Sequence, residues 1–510
     1  MNALSKPLTF SPQQQAVIEW TRNGKGSAFV EAVAGSGKTT TLIELLKQTK
    51  GSVAFAAYNK KIAEEIESKI ADQIKKGLAS PDLAKRVRVG TFHSFGFSAW
   101  RYVHKGVKAG PDAVRQKAAL TSEFLRSQNV PEGPDSFIVK LVSLAKQRAL
   151  GLFGSVENKS EWFDIIEHFD LAYEIEDEKM IDAGITAAIA VLRKHIEWAP
   201  QLIDFDDMIY MPVISGSRIW ENDWVLIDEA QDTNPARRAL ARKMLSLRGR
   251  AVFVGDRYQS IYGFSGADSD AIDQIIRDFK CSLLPLTVTY RCPKTVVEEA
   301  RKFVNHIEAH SSAPEGVVRT MEAADIAKQS LTASDAILCR NTKPLVTMAY
   351  ELIRKGVACH VEGKDIGVGM ITLVNRFSAT SVNVLIAKLD AFGEREAQKL
   401  IAKGRETQAE ALLDKIETVK VIAEGCQTRA QVVSKIAAMF MDGKDEARPT
   451  LTLSTVHRSK GREWARVFVL GFDTLMPSRF ARQEWQMEQE SNLQYVAYTR
   501  AMKELVLVSL

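Results

Sequence analysis

The chain has 510 residues, which is more than one compact core usually holds, so we expect two to four domains. Hydrophobic residues make up 45% of the chain, yet no apolar run reaches the length of a membrane-spanning helix and the N-terminus has no secretory apolar core, so we expect a cytoplasmic protein with no membrane partner. A formal net charge of +5 permits a polyanionic partner without requiring one. The five cysteines are scattered and form no CxxC pair, which argues against a disulfide framework, a zinc ribbon or an iron–sulfur cluster.

The first third of the chain alternates short apolar runs with helical patterns, which is typical of a parallel sheet flanked by helices. The predicted elements are strands at Ser27–Val33, Val53–Ala57 and Val87–Gly90, with helices at Thr39–Gln48 and Lys60–Ile70. Between about residues 98 and 200 the pattern becomes mostly helical, which indicates an α-helical insertion. Strand patterns then return at Trp224–Ile227 and Ala251–Val254.

A second set of strand patterns fills the C-terminal half and is itself interrupted by a helix-rich stretch. The strands are predicted at Leu283–Thr289, Ala336–Cys339, Val357–Val361, Leu451–Ser454, Val467–Leu470 and Leu505–Val508. We therefore predict an α/β protein with two parallel-sheet cores, each carrying a helical insertion. The expected limits are 1–97 and 201–280 for the first core with 98–200 as its insertion, and 281–364 and 449–510 for the second core with 365–448 as its insertion.

The segment Ala32–Thr40 reads AVAGSGKTT and lies between a predicted strand and a predicted helix. Its glycines let backbone N–H groups turn toward phosphate oxygens, and the helix presents its positive N-terminal end. Lys38 would neutralise the β- and γ-phosphates, and the Thr39 hydroxyl would bind Mg²⁺. The first position is Ala where the GxxxxGK[ST] pattern has Gly, so a chance glycine turn is the alternative. The expected nucleotide-binding residues are Ala34, Gly35, Ser36, Gly37, Lys38, Thr39 and Thr40.

An acidic pair follows the apolar strand in WVLIDEAQD, at the sheet edge where ligands of α/β proteins gather. Asp228 suits magnesium coordination, and Glu229 suits orienting and deprotonating an attacking water. Such a pair alone is more often a solvated turn. Together with the phosphate loop, it predicts magnesium-dependent hydrolysis of a nucleoside triphosphate.

Further segments follow in a fixed order, namely GDRYQSIYGFSGA, TYRCP, STVHRSKGREW and YVAYTRA. With LIDEAQD they resemble the UvrD/Rep/PcrA type of superfamily 1A DNA helicases, and AAYNKKIAEEI resembles most the F-box DNA helicase branch and its phage and bacterial relatives. The resemblance implies two RecA-like cores and an ATP- and Mg²⁺-dependent 3′-5′ helicase that translocates on single-stranded DNA in repair, recombination or replication. It also implies tailed or forked duplex DNA as substrate, repair or replication proteins as candidate partners, and a monomer or weak dimer.

The resemblance assigns two roles in the first core beyond the phosphate loop and the acidic pair. Gln14 in SPQQQAV would read the adenine edge by paired hydrogen bonds, with Gln13 as the alternative because the register is ambiguous. Gln259 in GDRYQ would sense the γ-phosphate and link it to the DNA contacts.

Four further roles fall in the second core. Tyr290 would stack on adenine and Glu463 would contact the ribose. Arg291 and Arg500 would supply cations to the phosphates once the second core closes on ATP, where they would stabilise the charge of the transition state.

Single strands are held by phosphate contacts and by bases stacked on aromatic rings, a mode that tolerates any sequence. The resemblance places nucleic-acid contacts at Tyr58, Asn59, Thr91, His93, Ser94, Tyr262, Phe264, Thr455 and His457. Phe264 stands where the family has a base-stacking Trp, and Ser265 replaces a common Arg, which would weaken the coupling of hydrolysis to strand contact. For each histidine taken alone, a structural role is the alternative. LIDFDDMI, residues 202–209, matches a family motif to which we assign no chemistry.

Two other functions stay open from the sequence. The second insertion is short for this type of helicase, so a translocase that displaces proteins with little unwinding is one alternative. A noncatalytic DNA-binding subunit of a larger complex is the other, against which the intact nucleotide motifs argue.

Overall fold

The computed structural model describes residues 9–128, 135–169, 171, 178–261, 270–355, 357–402, 406–440, 451–479, 481 and 484–510. Contacts divide the chain into two units. The first unit is Met1–Ala32 with Gly37–Leu286, and the second is Val33–Ser36 with Thr287–Leu510. No helix within the described ranges is both long and apolar enough to cross a membrane.

A six-stranded parallel sheet forms the centre of the first unit. Its strands are β1 (Ala28–Ala32), β2 (Val53–Ala57), β3 (Val87–Thr91), β4 (Asn222–Ile227), β5 (Leu245–Gly255) and β6 (Ser282–Leu286). Their spatial order is β3-β2-β4-β5-β1-β6. Strands such as VAFAA and WVLI are apolar throughout because helices cover both faces of a parallel sheet. Two buried clusters, one on each side of β1, β2 and β4, form this core.

Twelve helices accompany this sheet within the described ranges. They are α1 (Pro12–Asn23), α2 (Lys38–Gln48), α3 (Lys60–Lys75), α4 (Asp82–Arg86), α5 (Phe92–Val103), α6 (Pro111–Ser127), α7 (Asp135–Gln147), α8 (Lys159–His168), α9 (Glu178–Trp198), α10 (Phe205–Ile214), α11 (Pro235–Lys243) and α12 (Ala271–Phe279). The helices between β3 and β4 enclose a hydrophobic cluster of their own, which includes the fully buried Trp162 and Tyr210. The stretch predicted to be a helical insertion is therefore helical and has a core.

The second unit is built on another six-stranded parallel sheet, with a two-stranded sheet of β7 (Val288–Thr289) and β8 (Glu308–Ala309) beside it in the chain. The strands of the larger sheet are β9 (Val317–Glu322), β10 (Asp335–Cys339), β11 (Cys359–Val361), β12 (Leu451–Thr455), β13 (Trp464–Leu470) and β14 (Ala501–Ser509), in the order β11-β12-β10-β13-β14-β9. Its helices are α13 (Lys294–Ala300), α14 (Thr342–Arg354), α15 (Lys364–Asn375), α16 (Val382–Ala402), α17 (Glu406–Ala423), α18 (Arg429–Met439), α19 (Val456–Ser459) and α20 (Glu484–Tyr498). One buried cluster joins the sheet to α14–α18. The predicted fold class, an α/β protein with two parallel-sheet cores, is confirmed.

Two strands differ from the sequence expectation. The run Leu283–Thr289, predicted to open the second core, is split: β6 pairs with β1, so the first sheet continues past residue 280 to Leu286, and Val288–Thr289 pairs with β8. An apolar run shows that a strand forms but not which sheet it joins. β9 was not predicted because it is an edge strand whose residues are half exposed, so it has no continuous apolar run.

Candidate nucleotide site and nucleic-acid path

The phosphate loop connects β1 to α2. Gly37, the residue before α2, has φ +79°, a left-handed conformation that glycine adopts without steric cost. No side chain caps α2 and its first turn has no acidic residue, so its positive end is available to an anion. Ser36 Oγ and Lys38 Nζ are buried, and neither has a hydrogen-bond partner among the described residues. Two orphaned polar atoms at an uncapped helix start fit a bound phosphate chain.

The acidic pair lies directly after β4. Asp228 is 7% exposed, and burial together with the charge of Glu229 raises its pKa to about 7, while Lys38 acts in the opposite direction. Buried carboxylates are stabilised in their charged form by a nearby cation. The half-buried Thr39 supplies a hydroxyl in the first turn of α2, and hydroxyl and carboxylate oxygens are ligands that Mg²⁺ accepts. These donors fit a magnesium ion bound with a nucleotide.

Glu229 has a strained backbone, with φ +51°, which is uncommon for a residue other than glycine. Its carboxylate accepts a hydrogen bond from Gln231 Nε2, and Gln231 Oε1 accepts one from the Asp256 amide at 3.0 Å. The Asp256 carboxylate in turn accepts from Gln259 Nε2 at 2.6 Å. A buried chain of hydrogen bonds thus joins the predicted base to the predicted γ-phosphate sensor. Sequence reasoning did not assign Gln231 or Asp256, although both lie inside the quoted motifs.

Gln14 lies beside the phosphate-loop helix. It is buried, its Oε1 accepts from the Ser11 amide in a capping box, and its Nε2 donates to Thr41 Oγ1 in α2 at 3.1 Å. Gln13 is half-buried. The contact with α2 favours Gln14 over Gln13, and adenine recognition itself stays a prediction.

The second unit brings Arg291 and Arg500 together at Thr499. Arg291 Nη1 donates to the Thr499 carbonyl and Arg500 Nη2 to the Thr499 hydroxyl, each at 3.3 Å. Arg500 is 1% exposed and also donates to two main-chain carbonyls. Arg291 Nε donates to Glu463 Oε2 at 2.5 Å. The residues predicted to contact phosphate and ribose therefore bind each other in this structure.

Tyr290 is 41% exposed, and its ring centroid lies 4.8 Å from that of His310. Residues Val33–Ser36 of the phosphate loop belong to the second unit, and two of them are hydrogen-bonded within it. The Ala34 amide donates to Tyr495 Oη and the Tyr290 amide donates to the Gly35 carbonyl, both at 2.9 Å. Stacking of Tyr290 on adenine stays a prediction.

The predicted nucleic-acid contacts of the first unit follow the carboxyl ends of β2 and β3, which are neighbours in the sheet. Asn59 is exposed and caps α3 through its Oδ1, 3.0 Å from the Ile62 amide. Thr91 and Ser94 form a capping box at α5, and Ser94 Oγ donates to the Thr91 carbonyl at 2.8 Å. These polar side chains position two helix starts. Donation by Ser94 Oγ to a phosphate requires exchange of its bond to the Thr91 carbonyl, whereas Asn59 and Thr91 accept hydrogen bonds in their caps and keep their own N–H and O–H groups for donation.

His93 lies among aromatic and cationic groups at the start of α5. Burial, and then the charge of Arg237, lowers its pKa to about 4, so its imidazole is neutral at pH 7. Its ring centroid lies 6.3 Å from that of Phe205, edge to face, and Phe205 is 50% exposed. Phe205 belongs to the motif LIDFDDMI and is the first residue of α10, so its exposed ring lies beside a residue predicted to contact DNA.

In the second unit Thr455 is 8% exposed and directly precedes α19. Burial, and then the charge of Arg340, lowers the pKa of His457 to about 4, so this imidazole too is neutral at pH 7. Tyr262 and Phe264, together with Ser265, lie outside the described residues.

The phosphate loop, the acidic pair on a nearby strand and the parallel sheets define a phosphate-loop nucleotide-binding protein with two α/β cores. The chain belongs to the UvrD/Rep helicase family: residues 10–280 match the UvrD/REP helicase N-terminal domain, and residues 374–510 match the UvrD-like helicase C-terminal domain. The resemblance expected from the motifs is confirmed, and the two cores are RecA-like.

Curated relatives extend this match. F-box DNA helicase protein 1 of Schizosaccharomyces pombe is 24% identical, over 97% of this chain and 57% of the relative. The ATP-dependent DNA helicase PcrA of Bacillus subtilis is 21% identical, over 100% of this chain and 84% of the relative, and Rep of Escherichia coli is 24% identical over 58% of this chain and 43% of the relative. The chain thus spans about half the length of two of these three relatives, F-box DNA helicase protein 1 and Rep.

Proposed function

We propose that the chain is an ATP-dependent DNA helicase that translocates 3′ to 5′ along single-stranded DNA in repair, recombination or replication. The observation that carries the proposal is the buried Lys38 ammonium, which has no hydrogen-bond partner among the described residues and lies close enough to Asp228 to influence its pKa. A buried cation of this kind needs an anion, and a triphosphate supplies one. Family membership then supports DNA as the polymer on which hydrolysis acts.

The phosphate loop and the acidic pair have separate roles in the chemistry. The amides of the loop and Lys38 would bind the phosphates, while Asp228 and Thr39 would hold Mg²⁺, which would neutralise charge on the phosphate oxygens. Glu229 orients the attacking water and accepts its proton. Hydrogen bonds through Gln231 and Asp256 fix the position of its carboxylate relative to Gln259.

In this proposal Arg291 and Arg500 supply further positive charge to the same nucleotide, and Tyr290 and Glu463 contact its adenosine. Arg500 suits this role because its guanidinium is held in place by hydrogen bonds to two carbonyls and one hydroxyl. Arg291 must exchange its contact with Glu463 for a phosphate oxygen, so nucleotide binding would change the conformation of this pair.

Polarity and unwinding are tested together with duplexes that carry either a 3′ or a 5′ single-stranded tail. We expect ATP-dependent strand separation of the 3′-tailed duplex and none by Glu229→Gln. Opening of the 5′-tailed duplex alone would overturn the proposed direction.

A translocase with little unwinding is a second candidate, favoured by the small size of the second helical insertion, which is limited to α15–α18 in the described residues. Displacement of streptavidin from a biotinylated single strand, without separation of any tailed duplex, would establish this alternative.

A further inference from the structure

Arg237 lies beside Tyr58 and His93, two of the residues predicted to contact DNA. The sequence motifs assigned no role to Arg237. It is in the first turn of α11, where its amide donates to Asn234 Oδ1. Its guanidinium carbon lies 5.5 Å from the ring centroid of Tyr58. Its positive charge also helps to lower the pKa of His93. Three adjacent strands, β3, β2 and β4, thus lead to His93, Tyr58 and the start of α11 at one edge of the sheet.

The charge of Arg237 has no acidic counterpart in the described part of the chain. None of the ion pairs among the described residues includes it, and its Nε is buried without a hydrogen-bond partner there. Nη1 donates to the carbonyl of Asp232 at 2.9 Å, which leaves the charge itself uncompensated. A half-buried guanidinium without a carboxylate is the arrangement that a phosphate ligand satisfies, because its planar donors match two phosphate oxygens.

Two other arginines on α11, Arg238 and Arg242, have structural roles with which Arg237 can be compared. Arg238 donates to the side chain of Gln274 in α12. Arg242 lies 4.0 Å from the ring centroid of Phe279 and donates to the carbonyl of Asp278. Both tie α11 to α12, whereas Arg237 contacts Tyr58, the residue that follows β2.

The surroundings of Arg237 add positive potential. Helices α3, α5 and α11 all begin near it, at Asn59, Thr91 and Asn234, and helix starts carry partial positive charge. The neighbouring Tyr58 and Phe205 rings offer faces for bases. A chain of alternating phosphates and bases fits this combination better than an isolated anion does.

We infer that Arg237 binds a backbone phosphate of the single strand, between Tyr58 and His93, and so is a DNA-binding residue of the first core. The inference rests on the proposed function, since it assumes that single-stranded DNA is the polymer bound. It assigns Arg237 a role in binding single-stranded DNA and none in ATP hydrolysis.

The test measures binding of fluorescein-labelled oligo-dT by fluorescence anisotropy, with the full chain and over a range of salt concentrations. One phosphate contact contributes about 0.7 to the slope of log K against log salt concentration, so Arg237→Gln is expected to lower that slope by about 0.7 and the affinity about fivefold at 0.1 M salt. Arg237→Lys keeps the charge and is expected to keep the slope while losing part of the affinity.

Arg242→Gln is the matched control, because it removes the same charge from the same helix. We expect the wild-type slope and an affinity within about twofold of wild type, since loss of a distant surface charge is largely screened. Thermal unfolding of each variant shows whether it is folded, and Arg237→Lys covers the case in which Arg237→Gln is not.

The outcomes separate the inference from the proposed function. A wild-type slope for Arg237→Gln, or equal losses for Arg237→Gln and Arg242→Gln, would overturn the role of Arg237 alone. Failure of the wild-type chain to bind oligo-dT at all would overturn the proposed function and this inference together.

Discussion

The first unit contains two buried groups of lysine and aspartate side chains, and they differ in how their charges are satisfied. In the helical insertion Lys146 Nζ lies 2.8 Å from Asp204 and 2.7 Å from Asp207, and Lys117 binds the same two carboxylates. At the phosphate loop Lys38 Nζ has no hydrogen-bond partner among the described residues. We call the first group complete, because its lysines and aspartates neutralise one another within the protein. We call the second, Lys38 with Asp228, incomplete, because the Lys38 ammonium needs a ligand as its hydrogen-bond partner.

The complete group could be mistaken for a metal site. His195, Asp204 and Asp207 place potential ligand atoms within 4.8 Å of one another. Burial lowers the pKa of His195, and the charges of Lys146 and Lys117 act in the same direction. Two ammonium groups already neutralise these carboxylates, so an additional cation would be repelled. The motif LIDFDDMI therefore stabilises the insertion through Asp204 and Asp207 and presents Phe205 at the surface.

The largest expected effect in this comparison is on hydrolysis at the incomplete group. Glu229→Gln removes the proposed general base, which contributes about 10²- to 10⁴-fold, so the ATP hydrolysis rate is expected to fall by that factor. Glu221→Gln is the control, because Glu221 is exposed and precedes β4 at its other end. A rate for Glu229→Gln within twofold of wild type, measured by phosphate release, would remove Glu229 from the mechanism.

The complete group should dominate stability. Asp207→Ala leaves two buried ammonium groups short of a partner, and breaking a buried pair in this way costs about 3–5 kcal/mol in the free energy of unfolding. Urea denaturation of the full chain measures the loss. A cost below about 1 kcal/mol would mean that the network is not needed for folding.

Unlike Asp207, Lys38 should contribute little to the free energy of unfolding. Lys38→Met removes no hydrogen bond among the described residues, and Asp228, with a pKa near 7, can take up a proton in its place. We expect the free energy of unfolding to change by less than about 1 kcal/mol, within the usual range for a site without partners. Mg-ATP should raise the unfolding temperature of wild type but not of this variant. Equal stabilisation of both by Mg-ATP would place the nucleotide elsewhere.

Much of the fold and of the nucleotide site is readable from local patterns. The strand Val53–Ala57 was predicted at its observed limits because five consecutive apolar residues mark a strand covered on both faces. The phosphate loop was predicted because its glycines and lysine have fixed spacing along the chain. Such features depend on neighbours in sequence.

What the sequence did not reveal depends on neighbours in space. The pairing of β6 with β1 joins residues far apart in the chain, and apolarity does not encode the partner. The contact between Arg291 and Glu463 is of the same kind, since each was assigned a separate role. Arg237 is distinguished from Arg242 only by what surrounds it in the folded unit.

The smallest expected effect concerns the protonation of His93. Its pKa of about 4 results first from burial and then from Arg237, so Arg237→Gln should raise it without restoring the ordinary value of 6.5. The unfolded chain binds this proton near pH 6.5 and the folded chain only near pH 4, so His93 makes stability fall as the pH falls through that window. NMR of ¹³C-labelled histidine measures the pKa, and His457, which lies beside Arg340, is the internal control. A wild-type His93 titrating at 6.5 would contradict the burial described here.

In the proposed function, the group of Lys38 and Asp228 binds ATP, and hydrolysis of the ATP drives movement on DNA. Steady-state ATP hydrolysis by the wild-type chain, measured with and without oligo-dT, tests it most directly. We expect faster hydrolysis when the oligonucleotide is present, with both rates lowered about 10²- to 10⁴-fold by Glu229→Gln. Hydrolysis that single-stranded DNA leaves unchanged would contradict it.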